Sequence, residues 1–181
     1  MWVALYVVLL AVLVVRVQVP DAERAEPARA LPGEPLWLTR LHHGLFAAIL
    51  LGAPLERLVT GGAARWRVGG ALLFAAGVGL YRVAGRALGD ALSPFIEPRE
   101  GAPLVTHGLY RHVRHPIYLS EALIAVGAPL TLGCRALLVL SAAALAVLSV
   151  RIAREEDALA RTFPDYARYA ATTKRIVPFV Y

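Results

Sequence analysis

The apolar residues of this 181-residue chain come in blocks, each bounded by arginine, histidine, glycine or proline. That pattern points to membrane spans rather than to one very large soluble core. Trp2 to Val15 is the first block, closed by Arg16 and continued by Val17 and Val19 to Pro20. Leu41 to Val59 is the second, with His42 and His43 at its start and Gly61-Gly62 at its end. Trp66 to Tyr81 is the third, and Leu119 to Leu132 and Ala136 to Val150 form a last pair joined only by Gly133-Cys134-Arg135. So short a connection predicts an antiparallel helical hairpin. A mean hydropathy of +0.59 agrees with a membrane bundle. The fifteen residues between Arg135 and Arg151 reach about 22 Å as a helix, short of a hydrocarbon core of roughly 30 Å. Snorkelling arginines and local thinning cover the difference, and a buried soluble hairpin is the rival reading.

Ala28-Arg29-Ala30 imitates a signal-peptide cleavage site, but no basic residue precedes the first apolar run, so a retained first span is expected. Asp21 to Pro35 mixes acids, arginines and prolines and reads as a solvated loop. After Val150 the chain becomes charged while Ile152, Leu159, Phe163, Tyr166 and Tyr169 keep helical spacing. The expectation is an extension of the fifth span, a break at Pro164, Asp165 as turn or N-cap residue, and a short helix ending before Pro178.

The formal net charge is +6, and its arginines flank apolar blocks. Contact with lipid headgroups therefore fits better than nucleic-acid binding. Basic residues concentrate between Arg82 and Tyr118 and after Arg151, while the hairpin tip has only Arg135. Both basic segments are expected to face the cytoplasm, and five spans then put the N-terminus outside. Cys134 is the single cysteine, which excludes an internal disulfide and predicts a packing role.

Three polar segments are candidates for chemistry. Thr106 to Tyr118 packs His107, Arg111, His112, Arg114 and His115 with Tyr110 and Tyr118 against the start of a span. Pro116 should hold His115 extended and open the next helix, whose N-terminus favours an anion. A simple interfacial anchor is the alternative. In Arg154-Glu155-Glu156-Asp157 one helix cannot aim all three acids alike; one can face a pocket, or all can belong to a solvated, ion-paired face. Tyr166-Ala-Arg168-Tyr169 and Lys174-Arg175 precede Pro178, and an arginine there suits a carboxylate or a lipid phosphate. No Cys, His or carboxylate set stands at metal-ligand spacing around His112 and His115, and Gly77-Val-Gly79 lacks the third glycine of a dinucleotide fingerprint.

In order and spacing these segments resemble the isoprenylcysteine carboxyl methyltransferase and phospholipid methyltransferase superfamily of integral membrane proteins. The matching pieces are Gly79-Leu-Tyr-Arg82 to Leu88-Gly89, Gly108-Leu-Tyr-Arg-His-Val-Arg-His-Pro-Ile-Tyr118, and Glu155-Glu156 through Phe163-Pro-Asp-Tyr166 and Tyr169 to Arg175-Ile-Val-Pro178. The resemblance covers about the C-terminal 105 residues; residues 1–60 match only as spans. It implies an all-α, polytopic bundle of about five spans forming a single membrane domain over 1–181, with a methyltransferase core at 61–181 and a cytoplasmic segment at 151–181.

It further implies S-adenosylmethionine held by His115, Tyr118, Tyr110, Glu155 and Glu156, with His107, Gly108, Leu109 and Pro116 in the same wall. Arg175 and Arg114 would orient the reacting groups. Ser120 stands where the family often has glycine, and Glu121 follows at membrane depth, where an acid commonly marks a functional site. A carboxylate acceptor needs only an arginine, whereas an amine or thiol asks for a base such as Glu121, Glu155 or Glu156. A lipid-like or small acceptor would enter from the bilayer between spans two to four. The competing classes are an NADPH-dependent reductase of the sterol-reductase type, which usually has more spans and asparagine in place of Pro116, and a non-enzymatic scaffold or transport protein. The Ala, Arg, Val, Leu and Gly bias suggests a bacterial inner-membrane protein, and the oligomeric state is left open.

Overall fold

The computed structural model describes residues 1–14, 31, 33–61 and 65–176. Among them are six α-helices and no strand longer than an isolated bridge. They are α1 (Trp2–Val14), α2 (Leu36–Thr60), α3 (Arg67–Leu88), α4 (Pro116–Leu132), α5 (Ala136–Thr162) and α6 (Tyr166–Thr172). The continuation of the first apolar run to Pro20, nearly all of the Asp21–Pro35 loop with Ala28-Arg29-Ala30, and the tail through Pro178 lie outside the described residues.

Three helical segments are long and apolar enough to cross a membrane: Leu36–Thr60, Arg67–Ala91 and Ala136–Thr162. Trp2–Val14 and Pro116–Leu132 are apolar but shorter. Helix boundaries run beyond the apolar blocks. α2 begins at Leu36 rather than Leu41, α3 continues to Leu88 rather than Tyr81, and α4 begins at Pro116, the residue expected to open it, ahead of the apolar block that starts at Leu119. Hydropathy marks where a helix is greasy, while hydrogen bonding continues into its polar ends. His42 and His43 therefore stand within α2 rather than at its mouth.

α4 is the buried centre of the bundle, and α3 packs along it most closely. Glycine makes that approach possible. A Cβ on Gly70 would lie 2.5 Å from the Leu130 backbone, and one on Gly77 would lie 2.9 Å from the Ser120 carbonyl. From the other side, a Cβ on Gly127 would collide with the Phe74 backbone. This is the small-residue packing that membrane helices use where lipid leaves little hydrophobic drive between them. Gly69 and Gly79 face open space, so Gly70 and Gly77 are the α3 glycines at which this close approach to α4 is seen.

Tyr6, Ala53, Phe74, Val78, Ile124, Ala128, Leu132 and Cys134 form the main core, joining α1, α2, α3 and α4. The outward faces stay apolar: Leu58 is 81% exposed, Leu72 67% and Val139 76%, as lipid-facing residues should be. The expected α4–α5 hairpin is present. Gly133 closes α4 at φ 78°, and the Glu56 carboxylate accepts the amides of Arg135, Ala136 and Leu137 at the start of α5. An acid at a helix N-terminus satisfies otherwise orphaned N–H groups. Cys134 is buried there as a packing residue, its thiol donating to the Ala53 carbonyl.

Candidate functional site

The polar segments converge at the end of the bundle opposite this hairpin tip. The strip before α4 pairs with the strip after α6: Val113 bridges Lys174 in parallel, Arg114 N–H donates to Lys174 O at 2.8 Å, and His115 N–H donates to Arg175 O at 3.0 Å. That pairing pulls His115 to φ −122°, ψ 55°, off the extended geometry that Pro116 alone favours. Pro116 itself occupies the first turn of α4, as its missing N–H allows.

Glu155 and Glu156 meet these strips from α5. The Glu156 carboxylate takes the Arg114 Nε–H at 2.9 Å, lies 3.3 Å from His115 Nε2 and pairs with Arg175. Arg114 also donates Nη1 to the carbonyls of Ala170 and Thr173, so one guanidinium fastens the strip before α4 to α5 and to the end of α6. Glu155 receives the Tyr118 hydroxyl and faces His115 Nδ1 at 4.0 Å. Asp157 is exposed. The acids thus divide: Glu155 faces a cavity, Glu156 braces its wall, and Asp157 is solvated.

The cavity measures about 520 Å³, within the range of small-molecule sites. The loop from Ala91 to Val105 covers it, and Tyr110, Arg114, His115, Tyr118, Glu121 and Glu155 line it. His107 and Gly108 are exposed and lie outside this lining together with Leu109, Pro116, Glu156 and Arg175. Gly108, at φ 60°, opens the 3₁₀ turn Gly108–Arg111 that delivers Tyr110. Asp165 occupies the N-cap position of α6 without a capping bond, because its carboxylate pairs with Arg168 at 2.6 Å instead.

Among the lining residues that the sequence reading of the site did not name are His42, His43, Tyr81 and Arg151, together with the loop from Ala91 to Val105. His42 and His43 begin an apolar block and so read as interfacial; they come to membrane depth because α2 starts five residues earlier, at Leu36. Arg151 is 3% exposed, donates to Thr39 Oγ1 at 2.9 Å and to the Pro94 carbonyl at 3.0 Å, and lies 6.0 Å from the Tyr118 ring centre. Burial, then Glu155, pushes the Tyr110 phenol well above its ordinary pKa, so it remains a neutral hydrogen-bonding group. Burial pushes Tyr169 up to about 12, against the opposing pull of Arg114; its hydroxyl donates to the Tyr110 carbonyl at 2.7 Å.

Buried polar atoms normally have partners. Among the described residues Tyr110 Oη, Arg151 Nε and Glu121 Oε2 have no hydrogen-bond partner. An apolar ligand would leave them so. A ligand with polar groups placed against these atoms would satisfy them. Among the described residues no three His, Cys, Asp or Glu side chains are placed to hold a metal ion.

A profile of the isoprenylcysteine carboxyl methyltransferase (ICMT) family matches residues 71–161, which run from α3 through Glu155 and Glu156. The chain belongs to the ICMT family. ICMT proteins are membrane-type methyltransferases, and the apolar helices make this one an integral membrane protein. The chain is 32% identical over 158 residues to the nickel-cobalt-cadmium resistance protein NccN of Alcaligenes xylosoxydans xylosoxydans, covering 84% of this chain and 72% of that one. It is also 34% identical over 85 residues to the cobalt-zinc-cadmium resistance protein CzcN of Cupriavidus metallidurans (strain ATCC 43123 / DSM 2839 / NBRC 102507 / CH34), covering 46% of this chain and 39% of that one.

Proposed function

We propose that this ICMT-family chain transfers a methyl group from S-adenosylmethionine to a lipophilic or small acceptor, a carboxylate, amine or thiol, reached from the bilayer. The reading places five spans in a bacterial inner membrane, with the cavity and C-terminus cytoplasmic. The observation that carries it is the convergence of Tyr110, His115, Tyr118 and Glu155 on one mixed polar and apolar cavity, braced behind by Glu156.

In that reading Glu155 and Tyr118 hold hydroxyl and cationic groups of the cofactor, and Tyr110 offers its unpartnered phenol. When bound, the cofactor supplies a methyl group already activated by its sulfonium. The chain's own task is then alignment and exclusion of water. Arg114 cannot swing freely into the cavity, since Glu156 and two carbonyls hold it; it fixes the wall at one angle. Arg175, joined to the same carboxylate, completes that brace. The Ala91–Val105 loop caps the polar end, leaving α2 and α4 on the acceptor side.

Incubating purified chain with methyl-labelled S-adenosylmethionine and a bacterial lipid extract tests this. Label partitioning into an apolar product is the expected result. Label that never leaves the cofactor in the presence of extract contradicts it.

A further inference from the structure

Glu121 and His42 meet across the acceptor side of the cavity, from α4 and α2 respectively. Glu121 Oε2 is buried 3.5 Å from His42 Nε2 and has no hydrogen-bond partner among the described residues. The Glu121 side chain nonetheless lines the cavity at 17% exposure, while the His42 side chain is 2% exposed. His42 is held by its neighbours: its ring centre lies 5.0 Å from that of Phe46 and 5.1 Å from that of His43. A carboxylate in an apolar bundle is costly unless it has work or a partner. The brace uses Glu156, Tyr118 engages Glu155, and Glu97, which also lines the cavity, pairs with Arg161 at 2.9 Å, so Glu121 is the cavity carboxylate left for an acceptor.

Resting on the methyl-transfer reading, we propose that Glu121 is the catalytic base for the acceptor and His42 its positioning residue, so that the acceptor is a nucleophile bearing a proton, an amine or thiol, rather than a carboxylate. A carboxylate acceptor would approach Glu121 as a like charge, which disfavours it. For an acceptor R–X–H, the lone pair on X forms the bond to the methyl carbon. The carbon–sulfur bond breaks with its electrons kept on sulfur, and the X–H proton passes to Glu121. The positive sulfonium and the negative carboxylate are neutralised together, so no charge is left buried in the bundle. His42, beside the far oxygen, keeps the carboxylate turned toward the cavity. Apo acid–base contacts are often long and tighten in the complex, which suits the 3.5 Å spacing. The other ionisable groups lining the cavity nearby are His43 on α2, Tyr81 on α3, Tyr118 on α4, and Arg151 and Glu155 on α5.

The test uses full-length chain in lipid nanodiscs with labelled S-adenosylmethionine and three probes sharing one alkyl tail: a thiol, an amine and a carboxylate. The thiol or amine should be methylated in preference to the carboxylate. Glu121→Gln should lower that rate about 10²- to 10⁴-fold and flatten its acid limb in a pH profile. His42→Ala should shift the limb, and His42→Gln should restore it in part. Cofactor affinity, measured by calorimetry, should stay within about twofold in all three variants. Methylation of the carboxylate alone or of none of the probes, or a Glu121→Gln rate equal to that of the unaltered chain, overturns the pair's role while leaving methyl transfer standing. Absence of cofactor affinity in the unaltered chain overturns both.

Discussion

Arg114 and Glu156, 42 residues apart in sequence, are joined by a 2.9 Å contact between Nε and Oε1 at the polar end of the bundle. Both side chains are nearly buried, at 11% and 13% exposure. The pair therefore belongs to the class in which removal of one partner strands a charge. Glu156 also neighbours His115 and Arg175, so its loss takes one shared carboxylate from three basic groups at once.

Glu156→Gln should accordingly weaken cofactor binding at least tenfold without preventing membrane insertion. A double-mutant cycle with Arg114→Met should return a coupling of about 1–3 kcal/mol in chemical unfolding. Additive losses would show that the pair is not the brace inferred here.

Helix packing gives a second expectation. Gly127→Leu must push α4 off the Phe74 backbone, and overpacking of this kind costs about 1–3 kcal/mol or more. Gly79→Leu, which meets open space, should cost far less. Thermal unfolding in detergent compares the two directly, and equal losses would contradict the close α3–α4 approach.

The loop over the cavity is tied by Glu34, whose carboxylate accepts the amides of Ile96 and Glu97 at 3.0 Å each and the Thr39 hydroxyl at 2.7 Å. Thr39 in turn accepts from Arg151, so loop and cavity wall share one network. Hydrogen bonds to charged groups contribute about 1.5–3 kcal/mol. Glu34→Ala should therefore speed amide exchange at Ile96 and Glu97 by about 10- to 100-fold. Unchanged protection of those two amides would remove Glu34 from the account.

Much of this arrangement was legible in the sequence because bilayer chemistry leaves a coarse signature. Apolar blocks located five of the helices, Pro116 marked the start of α4, and Pro164 marked the break before α6. The family resemblance, not spacing alone, implied that Arg114, His115, Tyr118, Glu155 and Glu156 stand together, and the fold brings these side chains within contact of one another. Arg151 and His42 were not legible as site residues, because an arginine ending an apolar block looks like an anchor and a histidine beginning one looks interfacial. Their importance comes from neighbours 112 residues away in one case and 79 in the other, Thr39 and Glu121. His115 departed from its local preference for the same reason: pairing with Arg175 outweighed the proline that follows it.

If the methyl-transfer proposal holds, the cavity beside Glu155 and Tyr118 receives S-adenosylmethionine. Calorimetric titration of the purified chain with that cofactor, alongside Glu155→Gln, tests it most directly. Saturable one-to-one binding is expected, weakening at least tenfold in Glu155→Gln, about 1.4 kcal/mol. Absence of binding to the unaltered chain, or equal affinity in the two proteins, would contradict it.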